Sequence, residues 1–228
     1  MTQLMTVRRD VTELKKRYQT AEQSYDGLRQ NCEGAVCRWE WAIGALYELD
    51  PLFLLQPGIP PGRPQSTAPA NLANWSVHGF DNDDRLVLTR DYTEFPSQNY
   101  YEQFYVWRPD RILGYLFHCA DPRTVINCSQ LIMGPLGPTH FQRWGCRGRS
   151  SYTYACSDSR IDSFVALSGE HDEPQQSFSG ELRYRPNGTV ELWRKEGRNK
   201  KPVLYYQGRP PRDNPFVRHF ISTWRGFA

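Results

Sequence analysis

YVWRPDRILGYLF, from Tyr105 to Phe117, sets two runs of aromatic and branched aliphatic residues on either side of Arg-Pro-Asp. Proline presets φ for the second position of a type I turn, and Asp favours a turn by bonding nearby backbone. The stretch therefore reads as strand, tight turn, strand, with Arg111 at the restart. The same grammar recurs along the chain. HGFDNDDRLVLTRDYTEF places Phe80 before Asp-Asn-Asp-Asp and then Arg85-Leu86-Val87-Leu88. ACSDSRIDSFVAL offers Ser157-Asp158-Ser159 before Arg160-Ile161, and LRYRPNGTVELWRKE sets Tyr184 before Arg-Pro-Asn-Gly and Thr189-Val190. Asn187-Gly188 is the strongest short hairpin signal, because both central residues of a type I′ turn need positive φ.

Worked outward, this pattern predicts strands near 85–93, 99–107, 111–119, 125–133, 139–145, 151–156, 160–168, 178–185, 189–196 and 202–207. A meander of eight to ten antiparallel strands is too large to stay flat, so it is expected to curl strongly or half-close. Composition agrees. Aromatics make up 14% of the 228 residues, with thirteen Tyr, eleven Phe and seven Trp, and rings suit pleated surfaces.

The N-terminal part follows another period. Val7, Val11, Leu14, Tyr18, Ala21, Tyr25, Leu28, Cys32, Ala35, Trp39, Ala42, Leu46 and Leu49 keep a 4-3-4-3 spacing, the seam of a coiled coil. A helix from Thr6 to Leu49 would be about 65 Å long. Gly34 and Gly44 weaken its second half, so the pattern predicts either one long helix or a helical hairpin broken near Asn31 to Gly34. The charged flanks of the first half predict a projecting arm that pairs with another chain; the apolar second half, AVCRWEWAIGALYEL, predicts docking on the sheet.

Gln56 to Asn74 is rich in proline and glycine and reads as a connector. In the C-terminal RPPRDNPFVRHFISTWRGFA, Asp213 or Asn214 can cap a short helix with Pro215 at its first position, and Phe216, Phe220, Trp224 and Phe227 share one face. The expected fold class is thus α+β: a large curled antiparallel meander, a long N-terminal helix or helical hairpin, and a short C-terminal helix. Its segments are a helical part (1–50), a linker (56–74), the sheet (75–212) and the terminal helix (213–228).

No apolar run is long enough to cross a membrane as a helix, and no signal-peptide pattern opens the chain, so a soluble cytoplasmic protein is expected. The six cysteines, at 32, 37, 119, 128, 146 and 156, then read as reduced, and their spacings fit no common zinc pattern. The five histidines are scattered. No metal or cofactor is expected. The net charge is +3, yet residues 176–228 alone carry +7 while residues 1–50 carry −1 and residues 51–175 carry −3.

Catalytic signatures are weak. Asp81, Asp83 and Asp84 are better explained by a turn than by paired acid–base work. Gly134-Pro-Leu-Gly137-Pro lacks the N–H donors of a phosphate cradle. His118, Cys119 and Asp121 are expected on alternate sheet faces.

The units Phe80-Asp81 through Leu86, Trp107 through Ile112 and Tyr184 through Val190 resemble the YD-type repeats of RHS-family proteins. The chain also resembles repeat-like β-rich proteins encoded beside polymorphic toxins, many of which act as immunity proteins. That resemblance implies a non-enzymatic module that neutralises a toxin or binds another protein partner. Tyr, Trp and Arg carry interface energy, which singles out Tyr100, Tyr101, Tyr105, Trp107, Arg108 and Arg111. The alternative is nucleic-acid binding by the basic, aromatic stretch with Arg183, Arg185, Arg194, Lys195, Arg198, Lys200 and Lys201. A third expectation is an enzyme with a ligand-sized cavity in the curled sheet, which a deep pocket of convergent polar groups would support. A homodimer through the N-terminal helix is also expected.

Overall fold

The structure is a computed structural model that describes residues 2–44, 46–59, 62–95, 99–158, 160–197 and 200–209, with side chains described from Val11 onward. Its helix α1 spans Thr2–Ala35. Thirteen strands follow: β1 Arg38–Ile43, β2 Arg63–Gln65, β3 Trp75–Phe80, β4 Leu86–Tyr92, β5 Tyr100–Trp107, β6 Arg111–His118, β7 Thr124–Gly134, β8 Gly137–Gly145, β9 Arg149–Ser157, β10 Arg160–Gly169, β11 Gln176–Tyr184, β12 Val190–Glu196 and β13 Val203–Gly208. They form one antiparallel sheet in the order β13 back to β3, then β1 and β2. Every strand expected between 85 and 207 is present, each end within two residues of its expected place. From β3 to β13 each strand zips to its chain neighbour. That connectivity follows from the tight turns.

Two of the turns are built alike, and not as expected. At Arg185–Thr189 the Gly188 N–H donates to the Arg185 carbonyl and only Gly188 takes positive φ, at 80°. This is a three-residue hairpin loop, a type I turn closed by a left-handed residue, in place of the expected type I′ turn. Proline at 186 decides it: a two-residue turn over Asn187-Gly188 needs residue 186 to donate its N–H to the Thr189 carbonyl, proline has none, and the Arg185 N–H makes that bond instead. Asp81–Arg85 repeats the geometry, with Asp84 at φ 60° in the glycine's role. Asp81 Oδ1 accepts the N–H groups of Asp83 and Arg85, and Arg85 Nε donates back to Asp81 Oδ2 at 2.8 Å. The carboxylates at 81 and 83 thus serve the turn, and the restarting arginine neutralises them.

The helix ends at Ala35, fourteen residues before the expected Leu49. Beyond Gly34 the sequence RWEWAI alternates as well as it heptad-spaces, and tertiary pairing chooses the strand: β1 pairs six residues with β3 and three with β2. Among the described residues of the 6–49 segment there is therefore no helical hairpin. The Leu14–Cys32 stripe meets the convex face of the chain's own sheet, with Leu14, Ala21, Tyr25 and Cys32 buried among Val87, Leu88, Phe104, Phe117, Val125 and Cys128. The expected C-terminal helix lies outside the described residues. No described helix is long and apolar enough to cross a membrane.

The opposite face is concave. Its core runs from Ala42 on β1 through Phe80, Leu86, Tyr105, Ile112, Leu131, Phe141, Tyr154, Phe164 and Leu182 to Leu192 on β12. Residues 46–55, which contribute Leu46, Tyr47, Leu49, Leu52 and Leu55, are folded into that same core. The sheet is open, with its two ends unpaired among the described residues.

Candidate functional site

Register decides where this face of the sheet is full and where it is hollow. One cross-strand row on the concave face is Ile112, Leu131, Phe141, Tyr152, Ala166 and Phe178, mostly large and apolar. A neighbouring row is Tyr105, Gly114, Ser129, Arg143, Ser150 and Ser168. Small residues at four of those six positions leave space above the sheet. Gly114 is needed for the inserted segment to come close: a Cβ there would stand 2.6 Å from Ser129 Oγ and 3.0 Å from a methyl of Leu49.

Between that row and the inserted segment lies a cavity of about 170 Å³, lined by Glu48, Asp50, Phe53, Asp91, Tyr101, Gln103, Asn127, Ser129 and Arg143 among others. At ~30 Å³ per molecule this is room for roughly five or six waters. Three carboxyl groups converge on it. Asp50 is 4% exposed. Its Oδ1 accepts the Leu52 N–H at 3.0 Å, which shapes the turn into Phe53–Leu55, while its Oδ2 is buried with no hydrogen-bond partner. Asp91, at the end of β4, accepts a 2.6 Å bond from Ser76 Oγ. Glu48 is held beside both by the anchoring of its neighbour: Tyr47 donates to Glu40 at 2.7 Å and stacks edge-on against His78 and Phe80.

Burial dominates the electrostatics. Desolvation, with the charges of Asp91 and Asp50 adding to it, pushes the Glu48 carboxyl up to about 8, with Arg143 pulling the other way. Burial likewise raises Asp50, against the Leu52 N–H and Arg143, and raises Asp91, against the Ser76 hydroxyl. His78, behind Tyr47, is pushed down to about 4 by burial and shares a 3.1 Å contact between Nδ1 and Thr89 Oγ1. No ion pair engages Arg143 among the described residues, so one guanidinium faces three carboxyl groups.

The cavity opens outward. Tyr101, Asn127 and Arg143 also line a groove of about 640 Å³ with Arg147, Arg149, Ser150, Ser168 and Glu170. That volume falls in the range of small-molecule sites. Three arginines against one glutamate give the groove the opposite sign to the chamber behind it.

The sequence-derived candidates are dispersed. Tyr101 is 37% exposed at the mouth of the cavity. Tyr105 is buried in the concave core, and Tyr100 lies beside Tyr92. Trp107 donates from its indole to the Leu86 carbonyl, Arg108 lies exposed in its turn, and Arg111 bonds Asp110. These six do not share one surface. Among the basic candidates, Arg185 grips Glu191 through two bonds, Arg183 and Arg194 pair with Glu181 and Glu196, and Lys200 lies 3.9 Å from Glu196. Arg194 also sits over the rings of Phe178 and Tyr205. Lys195 is half-buried, Lys201 is exposed and Arg198 is outside the described residues. Tyr25 contacts Cys119 on the helix side, whereas His118 stacks on Tyr101 at the cavity mouth, so those neighbours do point to opposite faces. Sequence reading missed Glu48, Asp50, Asp91 and Arg143. The available signal was the run of Gly and Ser at inward positions where an apolar side chain is the rule.

No protein-family model and no curated protein matches the chain.

Proposed function

We propose that the chain binds a small organic molecule in the concave cavity, and that the ligand presents a protonated nitrogen to Glu48, Asp50 and Asp91. The observation that carries this reading is the buried, unpartnered Oδ2 of Asp50 on the cavity wall. Leaving a buried acceptor unsatisfied costs on the order of 1–3 kcal/mol, more for a charged group, and a donor entering the cavity recovers it. Neutral partners for the rest of such a ligand are at hand in Gln103, Asn127 and Ser129.

Butylamine titrated into the protein is expected to raise its melting temperature, and Asp50→Asn is expected to abolish the rise. Asparagine keeps the Oδ1 bond to Leu52 and removes the charge, so the fold is retained. No shift with the wild-type protein up to high millimolar amine overturns the reading.

A second reading, acid–base turnover of the bound molecule, draws support from Glu48, whose pKa near 8 suits proton exchange at neutral pH. Docking of a toxin or other protein through the Tyr100–Arg111 residues draws less, since Tyr105 is buried. Nucleic-acid binding draws less too, since four of the seven basic candidates pair with glutamates in the sheet.

A further inference from the structure

The chamber and the groove share Tyr101, Asn127 and Arg143. A molecule that leaves the chamber past these three residues enters the groove. What it meets there is the β8–β9 hairpin, Gly145-Cys146-Arg147-Gly148-Arg149, which turns back through a bond from the Gly145 N–H to the Gly148 carbonyl at 2.9 Å. Arg147 is exposed and has no ion-pair partner among the described residues. Arg149 is half-buried with its guanidinium carbon 5.8 Å from the Trp144 ring centroid, and its Nε is buried without a hydrogen-bond partner. Glu170 is the one carboxylate lining the groove among the described residues. Arginine forks match planar or tetrahedral oxyanions through paired N–H donors.

We infer that the ligand is bipolar: its protonated nitrogen enters the carboxylate chamber and an anionic group at its other end, a carboxylate or a phosphate, rests on Arg147 and Arg149 with Arg143 between the two ends. This rests on the reading above and adds to it the second charge and the direction of entry. The arrangement also discriminates. A simple amine leaves the groove arginines unengaged, and a simple anion finds no counterpart to the carboxylates within.

The test is a calorimetric series of α,ω-amino acids, from 4-aminobutanoate to 8-aminooctanoate, against alkylamines of matching length, with ω-aminoalkyl phosphates as the second arm. The expected result is an optimum chain length at which the amino acid or the aminoalkyl phosphate binds about tenfold to a hundredfold tighter than the amine, as one or two charge-assisted bonds would give. Whichever arm binds tighter identifies the anion. Arg147→Gln and Arg149→Gln, singly and together, are expected to erase that advantage and leave amine binding unchanged within about twofold. Arg147→Gln sits on an exposed loop and keeps the test valid if Arg149→Gln loosens the Trp144 packing. Equal affinity for amine and bipolar compound at every length, or an advantage that survives both substitutions, overturns the inference and leaves the amine site standing. Failure of every compound, amines included, to bind the wild-type protein overturns the underlying reading instead.

Discussion

Glu48 is a carboxyl group held far from its ordinary state. Folded, it holds its proton up to about 8; in an unfolded chain it releases it near 4.5. Between those values the folded state binds more protons, so stability falls as pH rises. The contribution is complete below 4.5 and is lost as pH climbs through 8. Glu48→Gln removes this titration and keeps the shape. Urea unfolding is expected to find the variant more stable than wild type at pH 9, by on the order of a few kcal/mol, and close to wild type near pH 5. Parallel pH profiles for the two proteins would contradict the burial of this carboxyl. His78 acts in the other direction. Its pKa is lowered from 6.5 to about 4, so its contribution is present above 6.5 and lost as pH falls through 4. At this scale the sequence was legible where the cause is local: Asp81 and Arg85 could be assigned to a turn because turn and bonds lie within five residues. Glu48 could not be read, since its surroundings come from β4 and β8.

At the scale of elements, α1 shows how a correct periodicity yields a wrong boundary. The stripe Leu14–Tyr18–Ala21–Tyr25–Leu28–Cys32 is real and lies against the sheet. Its arithmetic continues through Trp39, Ala42, Leu46 and Leu49, but those residues serve a strand and a buried loop, for which the spacing is a coincidence. What holds α1 in place is less apparent from the pattern. Glu102, fully buried on β5, accepts 2.5 Å and 2.6 Å bonds from Tyr25 Oη and Arg90 Nε. Arg90 also reaches Glu33 on the helix, and the Arg123 guanidinium lies 3.5 Å over the Tyr25 ring. Helix and sheet are therefore joined by a charged knot within an aromatic cluster of Tyr25, Phe104 and Phe117. Tyr25→Phe keeps the ring contacts and removes one donor to a buried carboxylate, which is expected to cost about 1.5–3 kcal/mol in urea unfolding. In a double-mutant cycle with Glu102→Gln the two effects are expected to be sub-additive by at least ~0.5 kcal/mol. Full additivity would mean that the hydroxyl and the carboxylate do not act together.

The whole molecule is one sheet with unequal cover. Strands β4, β5, β7 and β8 carry α1 on their convex side and the inserted 46–55 segment on their concave side. The later strands carry a core on one side only: on their outer face Val165 is 55% exposed and Leu204, opposite Trp193, is 45% exposed. Opening free energy follows buried apolar contact, so the two halves should open separately. Hydrogen exchange is expected to show the amides of β4–β8 exchanging last, through global unfolding, and those of β11–β13 well before them. Uniform protection across the sheet would show instead that it opens as a single unit. Every strand residue on the cavity wall, from Asp91 to Arg143, belongs to β4–β8. The site thus stands on the part of the sheet with both faces buried, and the element free to answer a ligand is the inserted segment that carries Glu48 and Asp50. An amine in the cavity is expected to slow exchange in residues 46–56 and leave β11–β13 unchanged. Protection appearing first in β11–β13 would place the ligand elsewhere, because those strands contribute no residue to the chamber.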